Sequence, residues 1–246
     1  MFFSSRDTLF DASVLKKKTA LFSKPLISVN AASEQNGILI ENIQPPCVKD
    51  LEDSLFEAYR DIAECAFGIS VTVTAEYDAV FAERIRAILR SAVYGEFSLM
   101  LRGILCEKDI KSALSDISRI FCELEVDGRE FNGYIQRGIC IDSPILLRQS
   151  LCSDGIDVCV IDAERLINLM TNNTPREDPC IFPLIADEIK KAVRQWSKTK
   201  CLAILGRHSA NTNFCKRLMD CGIYSFFISR GLRDTAINAI SAATRG

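Results

Sequence analysis

One histidine, His208, has to serve all 246 residues, and that scarcity removes several chemistries at once. With no Cys-x-x-Cys pair beside it, the lone imidazole supplies no His/Cys zinc constellation, and no Asp stands at the spacing a Ser-His-Asp triad would use. Cysteine is plentiful, with eleven residues, but no Cys-x-x-Cys pair occurs between Cys47 and Cys221. An odd count without a secretory leader predicts reduced thiols in a cytoplasmic protein. Cys140, Cys159 and Cys201 lie among apolar neighbours, where cysteine packs as a small hydrophobe. A dominant charge is missing too: 30 Lys and Arg against 32 Asp and Glu give a net charge of −2, so no global field favours nucleic acid or an anionic membrane. The Lys16-Lys17-Lys18 run reads as a solvated stretch. No run approaches the ~20 apolar residues a bilayer span needs, the start has no apolar leader core, and there is no internal repeat or low-complexity segment.

What is present is an alternation of short apolar runs and longer amphipathic patterns. Apolar residues make up 48% of the chain and charged residues 25%, ordinary values for a globular domain. Strands are predicted over 26–31, 38–41, 70–75, 98–102, 138–142, 157–161, 201–205 and 224–229. They are continuously apolar, as strands covered on both faces are. Helical spacing follows most of them, at 50–66, 79–93, 107–124, 145–151, 183–197, 211–221 and 233–243. Gly68, Gly95 and Gly222 punctuate helix ends, and Pro183 fits a first turn. Alternating β and α elements imply a parallel sheet. Eight strands in this length predict an α/β fold, a single TIM-like (β/α)8 barrel over residues 24–246. The six residues between Ala31 and Ile38 leave no room for a helix after the first strand. Residues 1–23 carry Leu9, Phe10, Val14, Leu15 and Leu21 and are read as an extension that forms a docking helix.

The segment Arg86-Ala87-Ile88-Leu89-Arg90-Ser91-Ala92-Val93-Tyr94-Gly95, leading into Leu99-Met100-Leu101-Arg102, resembles the helix and strand "LRAILRASAYG…MFPMI" of a known barrel. Further similarity lies in Phe56–Glu64, in Gly138-Ile139-Cys140-Ile141-Asp142-Ser143-Pro144, in Asp178–Ile185 and in Leu202–Arg207. In order, these resemble the C-terminal TIM barrel of the phosphoenolpyruvate-utilising enzymes, closest to enzyme I, the phosphoenolpyruvate–protein phosphotransferase of the sugar phosphotransferase system. The resemblance covers roughly residues 25–246 and lacks that family's N-terminal domains. It implies a phosphotransferase fold, a Mg²⁺ cofactor, phosphoenolpyruvate as ligand and a homodimer.

At the positions that carry the family's chemistry the sequence departs from it. Ile40 stands where a phosphate-binding arginine is implied, and the arginine of the following strand is absent from Val71–Ala75. The metal-binding glutamate is shortened to Asp142. The metal-binding aspartate falls on Arg165, with Glu164 just before it. The acid cysteine falls on Leu205 and the glutamate beyond it on Arg207, and Pro175 takes an arginine's place beside Arg176. Phosphoryl transfer needs cations around the moving phosphate, and protonating an enolate needs an acid; both are lost.

Functional groups of a barrel gather at the C-terminal strand ends. Those ends carry Asp78, Arg102, Asp142, Glu164, Arg165, Arg207, His208 and Arg230. Two readings stand. Arg102, Arg165, Arg207 and Arg230, with His208, converge on a phosphate or carboxylate; or the arginines pair with Asp142, Glu164 and surface acids and close the pocket. Asp142 is either a relic metal ligand, with Glu164 as a second candidate, or a cap on the helix beginning near Pro144. His208 is expected to face solvent from a loop. The function expected is a non-catalytic binding or regulatory protein of phosphoenolpyruvate or phosphotransferase-system metabolism, taking phosphoenolpyruvate or another phosphorylated metabolite. Its expected partner is a second copy or an enzyme I-type protein. The alternative is an active transferase or phosphohydrolase with a rearranged site.

Overall fold

The structure is a computed structural model that describes residues 26–30, 37–40, 50–66, 68–149, 154–171, 181–196 and 201–245; the predicted helix within residues 1–23 lies outside them. Eight strands close a barrel in chain order: β1 (Leu26–Asn30), β2 (Gly37–Ile40), β3 (Ser70–Glu76), β4 (Phe97–Arg102), β5 (Gln136–Ile141), β6 (Val158–Asp162), β7 (Cys201–Leu205) and β8 (Ser225–Ser229). The helices around it are α1 (Leu51–Cys65), α2 (Phe81–Ser91), α3 (Glu107–Val126), α4 (Pro144–Leu147), α5 (Ala163–Met170), α6 (Ile181–Gln195), α7 (Thr212–Met219) and α8 (Arg233–Arg245). This is the α/β TIM-like barrel that the alternation predicts.

The all-parallel sheet needs one correction. β1 runs antiparallel to both β2 and β8, while β2 to β8 are mutually parallel. The short link between β1 and β2 is the physical reason, since a parallel pair needs a crossover of a dozen or more residues and an antiparallel pair needs only a turn. Among the described residues no helix stands between β1 and β2, as the short link predicts. Leu26 therefore pairs level with Leu39 and Ser229, near the end where the parallel strands finish.

Strand alternation divides the core in two. Leu99, Leu101, Ile139, Ile141, Ile161 and Ile204 face the helices and join the large outer cluster. Met100, Cys140, Val160, Ala203 and Leu205 pack together inside the barrel, with Val158 and Phe227 against them. Gly138 lies opposite Met100 on the neighbouring strand. A Cβ there would meet the Met100 Cε at 2.7 Å and the Val158 carbonyl oxygen at 2.9 Å.

Helix α2 is clamped to its neighbours. The Arg90 guanidinium binds Glu52 at 2.6 Å and Asp53 at 2.8 Å and lies 4.2 Å from the centre of the Phe56 ring. Arg86 binds Glu123 on α3, and Arg84, buried, binds Asp78 at 2.7 Å. Among the described residues no helix is long and apolar enough to cross a membrane.

Gly138→Ala should cost about 1–3 kcal/mol, the range for overpacking a filled core, because Met100 can move aside but the Val158 carbonyl cannot. Urea unfolding followed by circular dichroism measures this, and an unchanged midpoint would contradict the interior packing.

Candidate functional site

The alternation that points Met100, Cys140 and Val160 inward also points Arg102, Asp142 and Asp162 inward, one layer higher. Ile141 pairs with Ile161, so Asp142 and Asp162 stand side by side at the ends of β5 and β6. Both are buried. Two neighbouring carboxylates held away from water need cations beside them.

Two arginines supply those cations. From β4, Arg102 reaches past β5 and its Nη2 donates to Asp162 Oδ2 at 2.7 Å. The other Asp162 oxygen, Oδ1, accepts from the backbone N–H of Arg165 at 2.9 Å and so caps α5. The Arg165 side chain turns back to Asp142, with Nη1 to Oδ2 at 2.9 Å. Arg165 thus holds one acid by its backbone and the other by its guanidinium. Beside it, Arg207 Nε lies 3.4 Å from Glu164 Oε1. The β7 loop is close enough there that a Cβ on Gly206 would meet the Glu164 Cβ at 3.1 Å, at a φ of +128° that already favours glycine.

Arg102, Arg165, Asp142, Glu164 and Arg207 are therefore brought together on β4 to β7. Arg102 and Asp162 are largely buried in their pair, whereas the Arg165 and Arg207 side chains keep 52% and 57% of their surface exposed. Arg230 opens the 3-10 turn Arg230–Leu232 after β8; its side chain lies outside the described residues. Asp78 accepts from Arg84 and from the Val80 backbone N–H, which ties it to the start of α2.

Two expectations change. Asp142 does not cap the helix before Pro144. Ser143 does, its hydroxyl accepting from Leu146 N–H at 3.2 Å, because a cap must immediately precede the first helical residue and Asp142 is one position early. His208 does not stand free in solvent: it is half-buried on the 3-10 turn Arg207–Ala210, its ring 5.3 Å from that of Phe182.

Mg²⁺ is not accommodated by these residues. Asp142 is bound by one guanidinium and Glu164 by another, and among the described residues no group of three or more His, Cys, Asp or Glu side chains is arranged to hold a metal ion. A cation in the first turn of α5 would also repel it. The cysteines within the barrel core give no nucleophile in compensation. Cys140 and Cys159 are core residues, and burial pushes the Cys215 thiol up to about 11, which keeps it protonated at neutral pH.

Asp162 is the site residue that sequence reasoning missed, together with helix α5. The signal was available: an Asp closes an apolar strand and is followed by Leu166, Ile167 and Met170 at helical spacing, a helix start with an N-cap.

Neither known protein families nor curated proteins give a match to the sequence. Solved structures do match in fold. A citrate lyase from Burkholderia xenovorans LB400 superimposes with a TM-score of 0.54 at 14% identity, over 75% of this chain and 63% of that chain. A Haloferax volcanii malate synthase gives 0.49 at 11%, covering 78% and 56%. The EAL domain of Mycobacterium smegmatis DcpA gives 0.46 at 12%, covering 92% and 98%. The chain thus spans less than two thirds of the citrate lyase chain. At such identities the likeness establishes the barrel fold alone.

Arg102→Gln leaves the Asp162 carboxylate buried without its strongest partner and should cost about 3 kcal/mol, as breaking buried ion pairs does. Asp162→Asn in the same chain should recover part of that loss. A double-mutant cycle by denaturant unfolding measures the coupling, and additive costs would show that the pair is not energetically linked. Separately, Cys215 should resist thiol reagents at pH 8 until the protein is unfolded, as timed thiol titration of a Cys215→Ser difference would reveal.

Proposed function

We propose that this barrel is a non-catalytic binding or regulatory protein whose mouth takes a small organic anion, phosphoenolpyruvate or another phosphorylated metabolite. One observation supports the reading above the rest. Arg165 and Arg207 present half-exposed guanidinium groups from adjacent strand ends around the first turn of α5, and among the described residues each has a single carboxylate partner that an incoming phosphate can outcompete. Guanidinium forks match phosphate oxygens in pairs, and a helix start adds partial positive charge. The acids behind them are engaged: Asp162 by Arg102 and Asp142 by Arg165. Neither is placed to act as a proton donor to substrate or as a metal ligand, so binding without turnover is the chemistry that this layer favours. The sequence resemblance to the phosphoenolpyruvate-utilising barrels supplies the ligand class.

Calorimetric titration of the full chain with phosphoenolpyruvate, with and without Mg²⁺, tests this. Saturable binding that is indifferent to Mg²⁺ is expected, weakened at least tenfold in the double variant Arg165→Gln, Arg207→Gln. No heat at millimolar ligand would overturn the anion site. Consumption of phosphoenolpyruvate, alone or with a phosphate-accepting protein, would overturn the non-catalytic reading.

A further inference from the structure

The opposite end of the barrel, where the parallel strands begin, carries a cation that the mouth does not explain. Arg137 is the second residue of β5 and shares its side of the strand with Ile139 and Ile141, the side that faces the helices. Its backbone is held at both polar groups: the N–H donates to Asp157 Oδ2 at 3.2 Å, and the carbonyl accepts from Asp157 N–H at 2.7 Å. Among the described residues no carboxylate pairs with its guanidinium, whereas Arg84, Arg90, Arg102 and Arg165 each have one. The guanidinium lies instead 5.9 Å from the centre of the Phe121 ring, a contact that attracts a cation without neutralising it.

Arg137 lines a cleft of about 610 Å³. Its walls are Phe121 from α3 and Phe131 from the loop that links α3 to β5. Both are half-buried and packed against the outer core, with ring centres 5.8 Å apart and planes tilted by 33°. A Cβ on Gly133 would lie 3.5 Å from each ring, so glycine there keeps the ring edges open. Asn132 fastens the loop: its N–H donates to the Leu89 carbonyl at 3.0 Å and its Nδ2 to the Ala92 carbonyl at 3.4 Å. The end of α2 needs such partners for its last carbonyls. The walls are therefore held in place before anything enters, which lowers the ordering cost of binding. Glu130, exposed, stands on the border of the cleft.

We propose that this cleft binds a small planar aromatic acid, its carboxylate taken by Arg137 and its ring laid against Phe121 and Phe131. A cavity of this size is ample for a one- or two-ring ligand. The guanidinium fork matches a carboxylate bidentately and so gains the anion that the fold does not provide. Ring-on-ring packing adds to the area buried. Glu130 repels an acid at the border and orients the ligand with its charge towards Arg137. An aliphatic acid uses the cation alone, and a neutral aromatic uses the walls alone, so the two features together select the class.

Calorimetric titration of the full chain with 1-naphthoate tests the proposal. Saturable submillimolar binding is expected. Binding should be at least tenfold weaker for 1-naphthalenemethanol, which keeps the rings without the charge, and for cyclohexanecarboxylate, which keeps the charge without the plane. Arg137→Gln should weaken naphthoate binding at least tenfold, and Arg137→Lys, which keeps the charge but loses the fork, by less. Circular dichroism should stay native in both; if the Gln variant fails to fold, the Lys variant carries the comparison. No saturable binding at millimolar naphthoate, equal affinity in the folded Arg137 variants, or cyclohexanecarboxylate binding as tightly as naphthoate would overturn the proposal. So would naphthoate binding that is lost in the Arg165→Gln, Arg207→Gln double variant and kept in the Arg137 variants, since the acid then sits at the mouth. Phosphoenolpyruvate titration of Arg137→Gln reports on the mouth alone and should match the wild type, so the two sites fail or stand separately.

Discussion

The alternation of charge from Arg102 through Asp162 and Arg165 to Asp142 is the constraint on which the mouth of this barrel depends. Period-two geometry forces it: strands that place Met100, Cys140 and Val160 inside must place Arg102, Asp142 and Asp162 inside as well. Two adjacent buried acids would repel each other, and each would lose its hydration. The arginines offset both costs, one from a neighbouring strand and one from the helix start above. The result is an ion-paired layer over the inner apolar cluster, bounded towards solvent by Arg165 and Arg207.

That layer also determines what chemistry can be hosted. A carboxylate serves as base or metal ligand only when its lone pairs are available to substrate or ion. Here the inner lone pairs are directed at guanidinium groups and at the α5 backbone, while the outer arginines keep their open faces towards solvent.

Much of the fold can be read from the chain because it depends on local rules. All eight strands fall within two residues of their predicted ends, since continuous apolar runs are unmistakable where both faces are covered. The direction of β1 is different, because periodicity carries no information about strand direction; only the length of the link to β2 does. The site is legible in part. Strand-end residues can be enumerated, so Arg102, Asp142, Glu164, Arg165 and Arg207 emerge from the sequence. Which acid each arginine selects depends on register between strands and on a helix of only eight residues, too short for strong periodicity. Hence the cap signal at Asp162 is weak beside those of the longer helices, and Asp142 is given the capping role that Ser143 holds.

The same contrast separates resemblance from function. The stretch Arg86–Gly95, on which the expected resemblance chiefly rests, has arginines that act as fasteners: Arg86 and Arg90, with the nearby Arg84, tie α2 to Glu123, to Glu52 and Asp53, and to Asp78. Such clamps are required wherever this helix must lie against α1 and α3, whatever the mouth binds. The departures expected at Ile40, Asp142 and Leu205 lie at strand ends and are buried. A likeness carried by clamps and core therefore speaks for the barrel, while activity has to be argued from Arg102, Asp162, Arg165 and Asp142 themselves.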